Sequence, residues 1–183
     1  LSDTVTRMIY SVMLTGVAPG SFYRLGANGK RQRAHFDGLP VDFVADAITT
    51  LGANVKDGFV TYHVMNPHDD GIGIDEYVDW LIEAGYPITR IDDFGQWVQR
   101  FHLGLTMLPE DKRHNTVLQM LLILLHTTPD LHAPEPTTGA SAPTDRFRGA
   151  VQAAGIGPDG DIPHVTPEVI TKYVTDMQHL GLL

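Results

Sequence analysis

Apolar residues recur at helical spacing from the start of the chain. Val5, Met8, Ile9, Val12 and Met13 share one face, and Gly16 stops the run, so a helix is predicted there. Turn residues in "GANGK" lead into "RAHF", which reads as a short strand. Pro40 suits the first turn of a second helix, with Val41, Val44, Ala45 and Ile48 on one face and Gly52 as its stop. Phe59 to Met65, "FVTYHVM", is rich in β-branched and aromatic residues and predicts a strand. Asp75 then reads as a helix cap, with Tyr77, Val78, Leu81 and Ile82 inward and Gly85 at the end. "PITRID" predicts a strand, and Phe94, Trp97, Val98, Phe101 and Leu105 form another helical stripe.

Pro109 opens a further helix that turns strongly apolar from Val117 to Leu125. Residues 127–143 hold four prolines with threonine, alanine and glycine, the composition of a loop or local linker. Thr144 to Ala154 and the run after Thr166-Pro167, carrying Val169, Ile170, Tyr173, Val174 and Met177, complete the helices. The expected fold is α/β and helix-rich, with about six or seven helices and three short strands in one lobe. So few strands do not make a self-sufficient parallel sheet. Those near 31, 59 and 87 are placed to complete a sheet supplied from elsewhere.

With 183 residues and 43% hydrophobic content, the chain can bury a core of its own. The formal net charge of -9, with 13 Lys and Arg, repels phosphate backbones and argues against a nucleic-acid partner. Arg24, Lys30, Arg31 and Arg33 cluster, and without interleaved aromatics they read as a solvated face. No cysteine is present, which excludes disulfides, thiolate metal sites and cysteine nucleophiles and is compatible with a reducing cytoplasm. Met120 to Leu125, the longest apolar run, falls well short of the roughly 20 residues that cross a bilayer, so no membrane role is expected. A start at Leu1, directly before an amphipathic pattern, suggests a piece of something longer.

"HVMNPHDDGIGIDEYVDWL", His63 to Leu81, is the stretch richest in ligand-type side chains. Counted from Asp69 as a calcium loop, the sixth position is Ile74 where glycine is required. His63 and His68 are five apart, not the four of a helical zinc pair. Gly71 and Gly73 give only part of a dinucleotide fingerprint, and Asp69, Asp70 and Asp75 would repel a pyrophosphate. A connecting loop is the expected reading, its aspartates serving as surface and capping groups. The other close histidine pair, His126 and His132, reads as solvated.

None of Ser2, Ser11, Ser21 and Ser141 sits in a glycine-flanked elbow, and Glu83, Glu110, Asp111 and Glu135 show no acid/base pairing. A short-chain dehydrogenase needs Tyr and Lys one helical turn apart. The residues four beyond Tyr10, Tyr23, Tyr62, Tyr77, Tyr86 and Tyr173 are Leu14, Ala27, Asn66, Leu81, Arg90 and Met177.

"RQRAHFDGLPVDFVADAI", "YHVMNPHDDGIGIDEYVDWLIEAGYPITRIDDFGQWVQRF" and "APTDRFRGAVQAAGIGPDGDIPHVTPEVITKYVTDMQHLGLL" closely resemble the end of the bacterial carboxylic acid reductases. The resemblance covers nearly the whole chain and is weakest from Thr127 to Ala140. It implies the C-terminal substrate-binding lobe of an extended short-chain dehydrogenase, without the nucleotide-binding Rossmann half. In that family an upstream half binds NADPH and carries the Thr/Tyr/Lys residues, and a carrier domain delivers the acyl group on phosphopantetheine for reduction to an aldehyde. The expected partners are therefore that upstream half and the carrier domain. No catalytic, cofactor-binding or metal residue transfers to this chain, and alone it is expected to be inactive. The resemblance implies that His35, Phe36, Gly38, Pro40 and Val41 lie near the substrate, and Met65 and Pro67 at a strand end are placed to line its channel. The competing expectation is a non-catalytic interaction module whose Val117 to Leu125 helix docks a carrier domain or a second subunit.

Overall fold

A computed structural model describes residues 3–128 and 130–183. Leu1, Ser2 and Pro129, the last within the expected 127–143 loop, lie outside the described residues. The described residues hold eight α-helices, a 3-10 turn at Pro158–Gly160, and two strands. The helices are α1 (Thr4–Thr15), α2 (Val41–Ala53), α3 (Ile74–Glu83), α4 (Phe94–Thr106), α5 (Glu110–Arg113), α6 (Leu118–Thr127), α7 (Asp145–Ala154) and α8 (Pro167–His179). The strands are β1 (Val17–Pro19) and β2 (Thr89–Ile91).

The chain forms two compact units. One comprises Leu1–Gln32, Ile74–Glu135 and Pro167–Leu183; the other comprises Arg33–Gly73 and Pro136–Thr166. In the first unit α1 packs on α4 and α8, α3 on α8, and α6 on α4. The buried stripes are Ile9, Tyr10 and Val12 of α1, Trp97, Val98, Phe101 and Leu105 of α4, and Ile170, Val174 and Met177 of α8. Each large apolar side chain so buried contributes about 1.5–3 kcal/mol. Asp3 caps α1 through Thr6 N–H, and Gly16 closes it in the left-handed conformation expected of a C-terminal glycine. β1 and β2 pair in parallel, Val17 with Thr89, Ala18 with Arg90 and Pro19 with Ile91. In the second unit Phe43 and Ala47 of α2 pack against Phe147 and Val151 of α7, with Ile156 and Ile162 closing the cluster.

The helix-rich fold agrees with the sequence, and several details are corrected. "RAHF" and Phe59 to Met65 form no strand among the described residues: a strand requires a neighbour, and here His35 N–H donates to Thr137 O in a loop while Met65 N–H donates back to His63 O. The sheet uses Val17–Pro19, which is too short and too proline-marked to stand out locally. Gly52 lies inside α2, which runs on to an Asn54 cap; a lone glycine weakens a helix without ending it. The helix opening at Pro109 breaks after Arg113, where Asn115 and Thr116 turn the chain before α6.

Candidate functional site

All seven residues assigned to the substrate fall in the second unit. His35 is 4% exposed; its Nδ1 donates to the His68 carbonyl at 3.0 Å and its Nε2 faces Asp37 Oδ1 at 3.1 Å. Phe36, Gly38, Met65 and Pro67 are half-buried, Pro40 precedes α2, and Val41 is 74% exposed. Gly38 and Phe36 are in close contact, since a Cβ at Gly38 would lie 2.2 Å from the Phe36 ring.

Asn66 joins the two segments. It is buried, its backbone N–H donates to Asp37 O, its Nδ2 donates to Phe36 O, and its Oδ1 accepts from His68 N–H. Asp37 also accepts from Ser141 Oγ at 2.6 Å and Ser141 N–H at 3.2 Å, and Thr137 exchanges hydrogen bonds with the backbone of His35. Part of the expected 127–143 loop is therefore bonded to this edge. Sequence reasoning placed Met65 and Pro67 at a strand end and missed both Asn66 and Asp37; an Asn before Pro, whose side chain favours local backbone bonds, was the available signal.

The histidines of the 63–81 stretch serve the same unit. His68 Nε2 donates to Ile162 O at 2.7 Å, its ring stacks on His164 at 3.6 Å, and His164 Nδ1 meets Asp70 Oδ2 at 2.7 Å. Among the described residues no group of three or more His, Cys, Asp or Glu is arranged to hold a metal ion.

Asp75 is the largest departure from the sequence reading. It neither caps α3 nor faces solvent. Only 2% exposed, it accepts from Ser21 Oγ at 2.5 Å and Phe22 N–H at 2.8 Å, with Arg90 at 3.6 Å and Arg31 at 4.0 Å. Both arginines also reach Asp79, and they hold the end of β1 through the carbonyls of Pro19 and Gly20. Burial lowers the Arg90 pKa, an effect opposed chiefly by its hydrogen bond to Asp79.

This network fixes one wall of a cavity of about 630 Å³ in the first unit, at the carboxyl ends of the parallel strands. Gly20, Ser21, Tyr23, Arg24, Phe94 and His132 line it. Gly20 passes so close to Asp92 that a Cβ there would lie 2.9 Å from the Asp92 Cα. The Tyr23 hydroxyl accepts from Ile74 N–H at 3.3 Å; burial foremost, with Asp75 and Glu76 adding, raises its pKa against the opposing effect of that bond. Tyr23 is thus a neutral donor at physiological pH. Ser21 Oγ is held between Asp75 and Tyr23 N–H with no imidazole bonded to it, which is no arrangement for a nucleophile. The cavity can bind and orient a ligand with acceptor oxygens.

The turn from β2 into α4 does not suit a pyrophosphate. The direct strand-to-helix turn, from β2 into α4, carries Asp92 and Asp93, and the Asp93 carboxylate occupies the helix N-terminus through Gln96 N–H. A pyrophosphate would meet two negative charges there.

No family model matches the chain. It is 61% identical over 182 residues to a carboxylic acid reductase of Mycobacterium marinum, covering 99% of the chain and 15% of the relative. It is 60% identical over 190 residues to the isonitrile lipopeptide synthase of Mycobacterium tuberculosis, covering 100% of the chain and 8% of the relative. The chain therefore spans a small part of the curated relatives it matches. The crystal structure of the reductase domain of a nonribosomal peptide synthetase from Mycobacterium tuberculosis superimposes with a TM-score of 0.88 at 59% identity, over 100% of this chain and 42% of that one.

Proposed function

The chain is homologous from end to end to the C-terminal part of a reductase domain, as found in carboxylic acid reductases, and on that premise we propose that it is the substrate-binding lobe of an NADPH-dependent thioester reductase. The observation that carries the reading is that full-length match at 59% identity. In the parent protein an acyl group on a phosphopantetheine arm would be reduced to an aldehyde, with hydride supplied by NADPH held upstream. Residues 1–183 would act as one functional lobe that binds and orients the thioester by apolar walls and a few fixed donors. Alone, lacking the Tyr/Lys pair in its sequence, the chain is assigned no reductase activity. We place the parent in the cytoplasm, without nucleic-acid or membrane partners; among the described residues no helix is long and apolar enough to cross a membrane.

Two features support an upstream half of the same domain as partner. A two-stranded sheet with three residues per strand is marginal by itself. In the second unit, Phe59 is 90% exposed on a segment of strand-type composition that has no strand neighbour among the described residues. The substrate residues we assign are His35, Phe36, Gly38, Pro40, Val41, Met65 and Pro67, held by Asn66 and Asp37.

The test is Gly38→Ala in the complete parent enzyme. The added methyl displaces the Phe36 ring, so the ratio of aldehyde formation from long and short acyl thioesters should shift while NADPH affinity stays constant. Identical acyl-chain profiles for the two proteins would remove this segment from the substrate path.

A further inference from the structure

The outer face of α6 has no role in the reading above. Leu118 and Leu121 are buried, yet Ile123 is 64% exposed and Leu122 and Leu124 are each 40% exposed. A helix apolar all round is one covered on more than one side. Beside it runs a groove of about 350 Å³, with Thr4 and Arg7 of α1 on one wall and Met120, Ile123 and Leu124 of α6 on the other.

We propose that this groove is filled by the polypeptide that leads into α1, the upstream part of the same reductase domain, and not by a carrier domain or a second copy of this chain. The inference rests on the reading of residues 1–183 as part of a longer domain. Three observations select the occupant. One groove wall is the start of α1, Thr4 and Arg7, so polypeptide joined ahead of Asp3 is tethered beside the groove. The solved reductase domain is more than twice as long as this chain, which covers 42% of it, so ample polypeptide is present to fill it. The lining is mainly apolar, from Val117, Met120, Ile123 and Leu124; Thr4, Thr116 and Gln119 add polar groups, and Arg7 is its one charged side chain, whose guanidinium donates to Thr116 O at 3.4 Å. Permanent interfaces are of this apolar kind, whereas a carrier that must dock and leave uses a more polar surface.

The chain contains no cysteine, so one introduced thiol reports directly on cover. Ile123→Cys would be labelled with a maleimide in the 183-residue chain and in the complete reductase domain, the modified peptide being identified by mass. Lys172→Cys, on the solvent-facing side of α8, serves as the control. Labelling at 123 should be at least about tenfold slower in the complete domain, since thiol reactivity follows access, with the control unchanged. Equal rates at 123 would overturn the proposal. So would protection that appears only when a carrier domain is added, or protection of the 183-residue chain that rises with its own concentration. Thioester reduction by the unmodified complete domain is measured separately. Protection without that activity would defeat the functional reading while leaving the covered face standing.

Discussion

Removing the Asp75 carboxylate should destabilise the first unit far more than removal of a surface aspartate. The side chain is 2% exposed and accepts from Ser21 Oγ and Phe22 N–H. Hydrogen bonds to a charged group contribute about 1.5–3 kcal/mol each. Taking away one partner of a buried ionic cluster costs about 3–5 kcal/mol, because the remaining charges lose their counterion. In Asp75→Ala the Arg90 guanidinium, 16% exposed, would be left with Asp79 as its acidic partner, and Phe22 N–H would be buried without an acceptor. The expected loss is about 3–5 kcal/mol, which for a chain of this size is a fall in Tm on the order of 10 °C. Asp75→Asn keeps one acceptor oxygen and should lose about 2 kcal/mol. Ser21→Ala, which removes one neutral donor, should lose about 1 kcal/mol. Urea unfolding of the three variants at constant m measures the series. An Asp75→Ala protein within about 0.5 kcal/mol of the unmodified protein, the range of ordinary surface substitutions, would refute the buried network.

Two further outcomes concern the second unit. Asp161 accepts two hydrogen bonds from Arg148 Nε and one from its Nη2, and that guanidinium holds the carboxyl well below the usual carboxylate range. A depressed folded-state value means that the stabilisation is fully present above the unfolded carboxylate pKa of about 3.9 and is lost as pH falls through the folded value. Asp161→Asn should therefore be less stable by about 1 kcal/mol at pH 7, given the partly exposed pair, and the gap should close on acidification below about pH 4; a gap independent of pH would contradict the ion pair. Gly157 has φ +82°, and a Cβ there would lie 2.3 Å from Asp161 O and 3.0 Å from the Phe43 ring. Gly157→Ala should cost about 2 kcal/mol or more, read as a lowered urea midpoint, and an unchanged midpoint would show that this loop gives way freely.

The helices were legible because their signal is local. A stripe such as Phe94, Trp97, Val98, Phe101 and Leu105 repeats within one element, and four of these five residues are buried, with Phe94 half-buried. The strands were not, because a strand is defined by its neighbour. "FVTYHVM" has every local mark of a strand, yet no partner for it lies among the described residues, while Val17–Pro19 has few such marks and pairs with Thr89–Ile91 across a long crossover.

The candidate sites divide in the same way. The resemblance led to His35–Val41, but what holds that segment is Asn66 and Ser141 acting on Asp37 and Phe36 from 29 to 104 positions away. Asp75 carries this furthest. Its place at the start of a helix suggests a cap, and in isolation that is how an aspartate there would be used. The Ser21–Phe22 backbone arrives from 53 and 54 positions upstream and offers a hydroxyl and a buried N–H in place of the helix's own first turn. A buried N–H without an acceptor costs more than an unfilled cap at a solvated helix end, where water can substitute. The carboxylate therefore serves the end of β1, and Arg31 and Arg90 bond the carbonyls of the same strand end, where Gly20, Ser21 and Arg31 line the cavity.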